Sequence, residues 1–279
     1  MPNKSLSIIA TAALLLTQAA CTHSDIGRTN FFRQHRPIPV EIAGQAPMVG
    51  AQLAVDINNH NGSVIVEVDD RIDAPEISAD LIRPKHETMM PLPEIDAPGI
   101  ITASYEASQG PGSTLRINAG LTGDYPTGSA IALRIRLPKC DGLNIINNGG
   151  PIIILGTGGT VTAQNGITTG LGGRIEYRTS KPLRDPVALI TAGGRITAVV
   201  DPAGRALIEL DTERGQTSFG SDYGSLTKVR PANRSYRGVW NDGANPFIAR
   251  SADGDITVFV KYDAEQYSTA DDWMALIGK

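Results

Sequence analysis

Cysteine, histidine and aromatic side chains are all scarce in this 279-residue chain, and each shortage removes a class of protein. Two cysteines, Cys21 and Cys140, cannot form a disulfide framework. The four histidines, His23, His35, His60 and His86, are scattered, with no pair at helical metal-ligand spacing, so no metal and no cofactor is expected. Aromatics make up 5% of the chain and helical periodicity is nearly missing, which argues against a helical bundle. A net charge of -4 leaves no basic face for nucleic acid. What is abundant is glycine (30) and proline (18), the composition of many turns and a small, β-branched interior.

The longest apolar run, SIIATAALLL (7–16), is too short to cross a bilayer and follows a thin positive region at Lys4. Residues 1–20 therefore read as a signal peptide. TQAAC ends in two small residues before Cys21, and this resembles the lipobox of bacterial lipoproteins, in which that cysteine receives the lipid. Gln18 departs from the usual leucine, so cleavage after Thr17-Gln18-Ala19 is the competing outcome. Lipidation at Cys21 would place the chain in the outer membrane, with which Thr22 is compatible; the alternative is a soluble periplasmic or secreted protein. With Cys21 lipidated, Cys140 is a lone apolar thiol. Without lipidation, the two could form a disulfide.

Residues 21–50 read as a tether carrying one strand near Ile38–Ile42. Residues 51–137 show period-two alternation. QLAVDIN puts Leu53, Val55 and Ile57 on one face, NHNG (59–62) turns the chain, and SVIVEV does the same with Val64, Val66 and Val68. SAIALRIRL (129–137) aims Ile131, Leu133, Ile135 and Leu137 inward, and further strands are expected at 76–82, 100–106 and 113–118. KHETMMPLPEIDAPG (85–99) is a loop. This region is compatible either with the first coils of a longer stack or with a small β-sandwich.

From Gly142 to Gly224 the chain repeats short units: NNGGPIII, TGGTVTA, QNGITT, LGGRIEYRT, AGGRITAVV and AGRALIELDT. A phosphate-binding reading fails. No lysine follows the glycines as a P-loop requires, and Val161 in GTGGTV and Ile175 in GLGGRI stand where a dinucleotide fingerprint needs glycine. A strand, not a helix N-terminus, follows each cluster. Stacked strands with tight glycine corners account for the pattern, and neutral Asn and Thr at those corners can form ladders without repulsion. SKPLRDP (180–186) is an insertion. NDG (241–243) and SADGDITVFV (251–260) echo NHNGSVIVEV (59–68).

The G-x-I/V units behind a strand ending LPK, with NHNGSVIVEV and SADGDITVFV on either side, resemble the "putative adhesin" domain of bacterial envelope proteins over roughly residues 50–260. The T-x-x-G-x-I motif of that family stands here as TAGGRI (191–196). The resemblance implies an all-β fold, a right-handed β-solenoid of glycine-cornered strands over 138–262, and a cell-envelope address. It supplies no catalytic residues. At 263–279 a capping box, Thr269 with Asp272, precedes Trp273, Leu276 and Ile277 at helical spacing, so a short C-terminal helix is expected to cap the last coil.

Candidate chemistry is sparse. Asp69–Asp70, Asp211–Glu213 and Asp271–Asp272 are acidic groups with no sign of facing one another, and GSDYG (220–224) misses the nucleophile-elbow spacing. SLTKVRPANRSYRGVW (225–240) concentrates Lys228, Arg230, Arg234 and Arg237 beside Tyr236 and Trp240, a set able to contact glycan rings or anionic polymers. The competing reading is an outward basic strand with aromatics filling a cap. The expected function is a non-enzymatic, structural or adhesin-like envelope protein, joined to the membrane at Cys21 and contacting an envelope glycan or a surface protein. The alternative is a polysaccharide-binding module using 228–240, and the least favoured is a carbohydrate-active β-helix enzyme.

Overall fold

The computed structural model describes residues 33–47, 50–84, 100–107, 112–121 and 128–266. These residues are nearly all β, in two mixed sheets, with one 3-10 turn at Ala264–Gln266. The strands before the glycine-rich part are β1 (Arg33–Ile38), β2 (Ile42–Ala43), β3 (Gln52–Asn59), β4 (Val64–Val68), β5 (Glu76–Pro84), β6 (Ile101–Ala107), β7 (Gly112–Ala119) and β8 (Ala130–Leu137). Then come β9 (Gly142–Asn147), β10 (Ile152–Leu155), β11 (Thr160–Asn165), β12 (Ile175–Thr179), β13 (Val187–Thr191) and β14 (Ile196–Val200). The last six are β15 (Ala206–Thr212), β16 (Thr217–Ser221), β17 (Leu226–Pro231), β18 (Ser235–Trp240), β19 (Pro246–Ser251) and β20 (Ile256–Val260). The strands anticipated at 76–82, 100–106, 113–118 and 129–137 are β5 to β8, each within two residues of its expected bounds.

A nine-stranded first sheet runs β1-β5-β8-β4-β10-β12-β14-β20-β16, and an eleven-stranded second sheet runs β17-β18-β15-β19-β13-β11-β9-β3-β7-β6-β2. The chain alternates between them, so a strand of the second sheet and the next strand of the first form one rung. In space the rungs succeed one another as β15/β16, β19/β20, β13/β14, β11/β12, β9/β10, β3/β4 and β7/β8, with every lateral pairing parallel. Chain order and spatial order agree only from β9 to β14. Rung β3/β4 lies between β7/β8 and β9/β10, and rung β19/β20 lies between β13/β14 and β15/β16. The strands of 51–137 thus share both sheets with the glycine-rich strands. Antiparallel strands β1, β5, β6, β17 and β18 are added outside the rungs.

Alternation along each strand sends one set of side chains between the sheets. In register these form aliphatic ladders: Val64, Ile152, Ile175, Ile196 and Ile256 in the first sheet, and Ile57, Ile145, Ala163, Leu189 and Ala249 in the second, all buried. Each fully buried Val or Ile contributes about 1.5–3 kcal/mol of transfer free energy.

Five of the seven corners leading from the second sheet to the first share one motif, a polar residue followed three places later by glycine and, two places after that, an aliphatic or threonine: NHNGSV, NNGGPI, TAGGRI, TERGQT and SADGDI. Asn59 donates to Ile131 O at 3.2 Å, and the polar residues of the other corners, with Asn165 at the corner that carries an insertion, donate to a glycine carbonyl one rung away. Asn147 Nδ2 reaches Gly62 O at 3.0 Å, Asn165 Nδ2 reaches Gly150 O at 2.7 Å, and Thr191 Oγ1 reaches Gly173 O at 2.9 Å. Ser251 Oγ bonds Gly194 O and Thr212 Oγ1 bonds Gly254 O, both at 2.9 Å. Asn59, Asn147 and Asn165 also bond side chain to side chain at 3.1 and 3.3 Å, forming the neutral ladder that the corner composition predicts. The glycines stack so closely that a Cβ on Gly150, whose φ is 80°, would lie 2.4 Å from Gly62 O.

The C-terminal helix expected over 263–279 is not seen. Ala264–Gln266 is a 3-10 turn, and Thr269, Asp272, Trp273, Leu276 and Ile277 lie outside the described residues. Cys21 and the leader also lie outside them.

Candidate functional site

The segment singled out for its basic and aromatic residues forms the hairpin β17–β18, which extends the second sheet antiparallel beyond β15. Period two divides it sharply. Tyr236, Gly238 and Trp240 face inward, and Arg237 faces out. Trp240 is 0% exposed and Tyr236 7%. Phe219 of β16 stacks on Tyr236 at 5.7 Å and meets Trp240 edge-on at 6.0 Å, so the three rings plug the open end of the stack. Burial pushes the Tyr236 phenol above its usual range. These two aromatics therefore cannot stack on a surface glycan, which corrects the expectation that grouped them with the basic residues.

The basic residues divide as well. β17 is exposed along its whole length, with a bulge between Thr227 and Arg230 where Lys228 adopts φ 52°. Arg230 stands opposite Arg237 in register, and Arg237 Nη2 lies 3.9 Å from Asp211 Oδ2. Arg234 sits in the turn between the strands. That turn is pinned by Thr212 N to Arg234 O at 2.9 Å and by Thr217 N to Asn233 O at 3.0 Å. Arg234 lines an open groove of about 600 Å³ together with Ile167, Ile190, Ala192, Asp211 and Arg250. Lys228 and Arg230 are not among the groove's lining residues.

The groove lies on the outward face of the second sheet. Arg250, Asp211 and Ser235 are register neighbours on β19, β15 and β18, so they stand side by side. Ile167 reaches in from the corner loop between β11 and β12. Two hydroxyls fix that loop to the neighbouring corner: Thr168 Oγ1 bonds Asn148 Oδ1 at 2.6 Å, and Thr169 Oγ1 bonds Asn148 O at 2.9 Å. An aliphatic floor whose walls carry both signs, Arg234 and Arg250 beside Asp211 and Glu213, can hold a polyhydroxylated chain, since charged groups of both kinds make strong hydrogen bonds to hydroxyls. Arg250 and Ile167 were not singled out in the sequence. The alternation of PFIARS points Arg250 outward, but an isolated arginine carries no motif.

The other candidates have structural partners. Asp69 is buried and accepts from Arg71 Nε at 2.7 Å, Arg71 Nη2 at 2.9 Å and Arg136 Nη2 at 2.6 Å. Those hydrogen bonds, Arg71's first, hold its carboxyl well below the usual carboxylate range. Cys140 is a free, buried thiol, and burial pushes it up to about 11, far from a reactive thiolate. Among the described residues no group of three His, Cys, Asp or Glu is placed to hold a metal, and no helix is long and apolar enough to cross a membrane. Asp271–Asp272 lie outside the described residues.

No family model matches the chain, and no curated protein matches it. Among solved structures it is similar to a "putative cell adhesion protein" from Clostridium sporogenes, at 10% identity over 82% of this chain and 100% of that one, with a TM-score of 0.45. It is similar also to a "putative adhesin" from Bacteroides fragilis (11% identity, 82% and 97% covered, TM-score 0.30). A "putative lipid binding protein" from Parabacteroides distasonis matches at 10% identity, with 84% and 98% covered and a TM-score of 0.22. At these TM-scores the likeness carries nothing about function.

Proposed function

We propose that this chain is an exported cell-envelope protein whose stacked β body, of β-solenoid type, acts as a structural or adhesin-like scaffold without catalysis. It is held to the outer membrane by a lipid on Cys21. The observation that supports this reading is the corner column. The chain commits its glycines and its buried Asn, Thr and Ser residues to holding rungs in register, the investment of a rigid body rather than of a cleft. The signal peptide and the small residues before Cys21 supply the address. Metabolic labelling of the full chain with a radioactive fatty acid, followed by membrane fractionation, tests the tether. Label and membrane association should both disappear in Cys21→Ser. An unlabelled, soluble native product would overturn the lipid anchor.

A second reading rests on the groove. Arg234 and Arg250 have no ion-pair partner among the described residues, and they flank an aliphatic floor on an accessible face. With Asp211 and Glu213 on the same walls, this favours a polyhydroxylated envelope polysaccharide as ligand. The mature chain would be sedimented with peptidoglycan and extracted envelope glycans at low and high salt. Binding should be salt-sensitive, lost in Arg234→Ala/Arg250→Ala and kept in Lys228→Ala/Arg230→Ala. Absence of binding by the native protein removes this reading, and turnover of any glycan would replace it with an enzymatic one.

A further inference from the structure

The two sheets end unevenly beside the aromatic plug. The second sheet continues past rung β15/β16 into β18 and β17, whereas the first stops at β16. Among the described residues no strand of the first sheet therefore lies across from β18. The inner side of the hairpin shows this. Leu226, which pairs with Trp240 and lies over Gly238, is exposed, as are Tyr223 and Val229 three residues to either side of it. The Tyr236 hydroxyl lies at the same place, 3.5 Å from where a Cβ on Gly238 would stand. It is buried and has no hydrogen-bond partner among the described residues, although a buried hydroxyl normally has one.

A strand at the edge of a sheet is usually defended by charge, proline or a bulge, since its free N–H and C=O groups otherwise invite another strand. At this end all the defences are on one edge. β17 has the bulge between Thr227 and Arg230, Lys228 at φ 52°, and Pro231. β16, TSFGS, has no charge, no proline and an unbroken register with β20. Two bonds show which way its backbone faces. Gln216 O accepts from Ile256 N of β20, and Thr217 N turns the other way, to Asn233 O. Alternation then aims the N–H and C=O groups of Phe219 and Ser221 away from β20, and neither N–H has a partner among the described residues.

Charge decides which strand fits there. From Thr217 to Trp240 one acidic residue, Asp222, stands against four basic ones, in a chain whose net charge is -4. Asp222 is matched by Lys261 and Arg237 by Asp211, which leaves Lys228, Arg230 and Arg234 in excess. A second copy is a poor occupant. Its own β16 end is equally basic, and β1, the edge at the other end of the first sheet, contains Arg33 and Arg36 and no acidic residue. Like charges would meet in either arrangement, at a cost that an acidic chain avoids.

We propose that β16 is a docking edge for an extended, acidic segment of another protein, which adds to the first sheet as one more strand. Its backbone bonds Phe219 and Ser221. Its inner side chains cover Leu226 and offer the Tyr236 hydroxyl an acceptor, and its carboxylates meet the basic hairpin. The edge belongs to the first sheet and the Arg250 groove to the second, so this proposal needs neither a glycan nor the lipid anchor.

The test selects phage-displayed random dodecapeptides on the full mature chain. Sequences with Asp or Glu around alternating apolar residues should be enriched. With one such synthetic peptide bound, amide exchange at Phe219 and Ser221 should slow several-fold while that of β17 stays unchanged, a measurement that needs no variant. Ser221→Pro removes one edge donor and should weaken binding about tenfold, the worth of one hydrogen bond. Ser221→Ala loses the same hydroxyl but keeps the N–H, and should bind like the native chain. Lys228→Glu/Arg230→Glu should weaken binding several-fold, most at low salt. The proposal is overturned if no acidic alternating sequence is enriched, if exchange slows on β17 instead, or if the proline and alanine variants bind alike. Binding kept in Ser221→Pro but lost in Arg234→Ala/Arg250→Ala would move the peptide to the groove and also refute it. So would a dimer of the native chain, seen by sedimentation without peptide, that protects the same two amides.

Discussion

The two sides at which the chain passes between the sheets follow different rules. Most passages from the second sheet to the first repeat one motif, with a buried polar side chain bonding a backbone carbonyl, usually a glycine's, in the next rung. Returns from the first sheet to the second have nothing in common: GTGG between β10 and β11, SKPLRDP between β12 and β13, DPAGR between β14 and β15. Even where the first kind of corner carries an insertion, in the loop 166–171, Gly172 and Gly173 bring the chain back into the column. One side of the molecule fixes the register, and the other only has to close the loop.

That contrast can be broken most severely at Gly150. An added Cβ meets the Gly62 carbonyl, in a backbone conformation that itself costs an L-residue 1–2 kcal/mol. Together with overpacking, Gly150→Ala should destabilise by about 4 kcal/mol in urea unfolding. Gly170→Ala has the same kind of φ, 70°, but open space around it, and should cost only about 1–2 kcal/mol. The polar residues sharpen the comparison one step down. Asn147→Ala strips partners from Asn59, Asn165 and the carbonyls of Gly62 and Gly149, a loss of about 3 kcal/mol. On the return side, Thr179→Val removes the bond donated to Thr157 O and the one accepted from Lys181 N, and should cost about 1–2 kcal/mol.

Two smaller effects concern titration near the return side. Asp69 has a lowered folded-state value because Arg71 and Arg136 donate to its ionised form. Its contribution is therefore present above its unfolded value of about 3.9 and is lost as pH falls through the folded one. Native protein should lose stability on acidification below about pH 4 more steeply than Asp69→Asn, in denaturation midpoints taken across pH. Cys140, pushed up to about 11, should resist alkylation at pH 8 in the folded protein and react only on unfolding, which mass spectrometry will show.

Much of this architecture was legible because stacking constrains residues locally. The alternation in QLAVDIN, SVIVEV and SAIALRIRL fixed which side chains enter the core, and the glycine–asparagine corners announced ladders. The order of the rungs was not legible. Strands that present Val or Ile at every inward position are interchangeable as neighbours, so nothing in NHNGSVIVEV or SADGDITVFV says that their rungs intercalate between others. The candidate site was half legible. Tyr236, Gly238 and Trp240 alternate with Arg237, a pattern that places the rings inside, and the run of basic residues obscured it. Arg250 and Ile167 join Arg234 only because three distant segments meet at one corner of the sheet.

The intercalation of β20 between β14 and β16 has a mechanical consequence. A body that winds in strict order can be peeled from its end, one rung at a time, each step breaking only one strand's bonds. Here a pull on the C-terminal side loads a strand held on both flanks along its length, so those ladders must slide together in shear. For a chain anchored at one end and gripped at the other, the last rung is then the hardest place to begin unravelling.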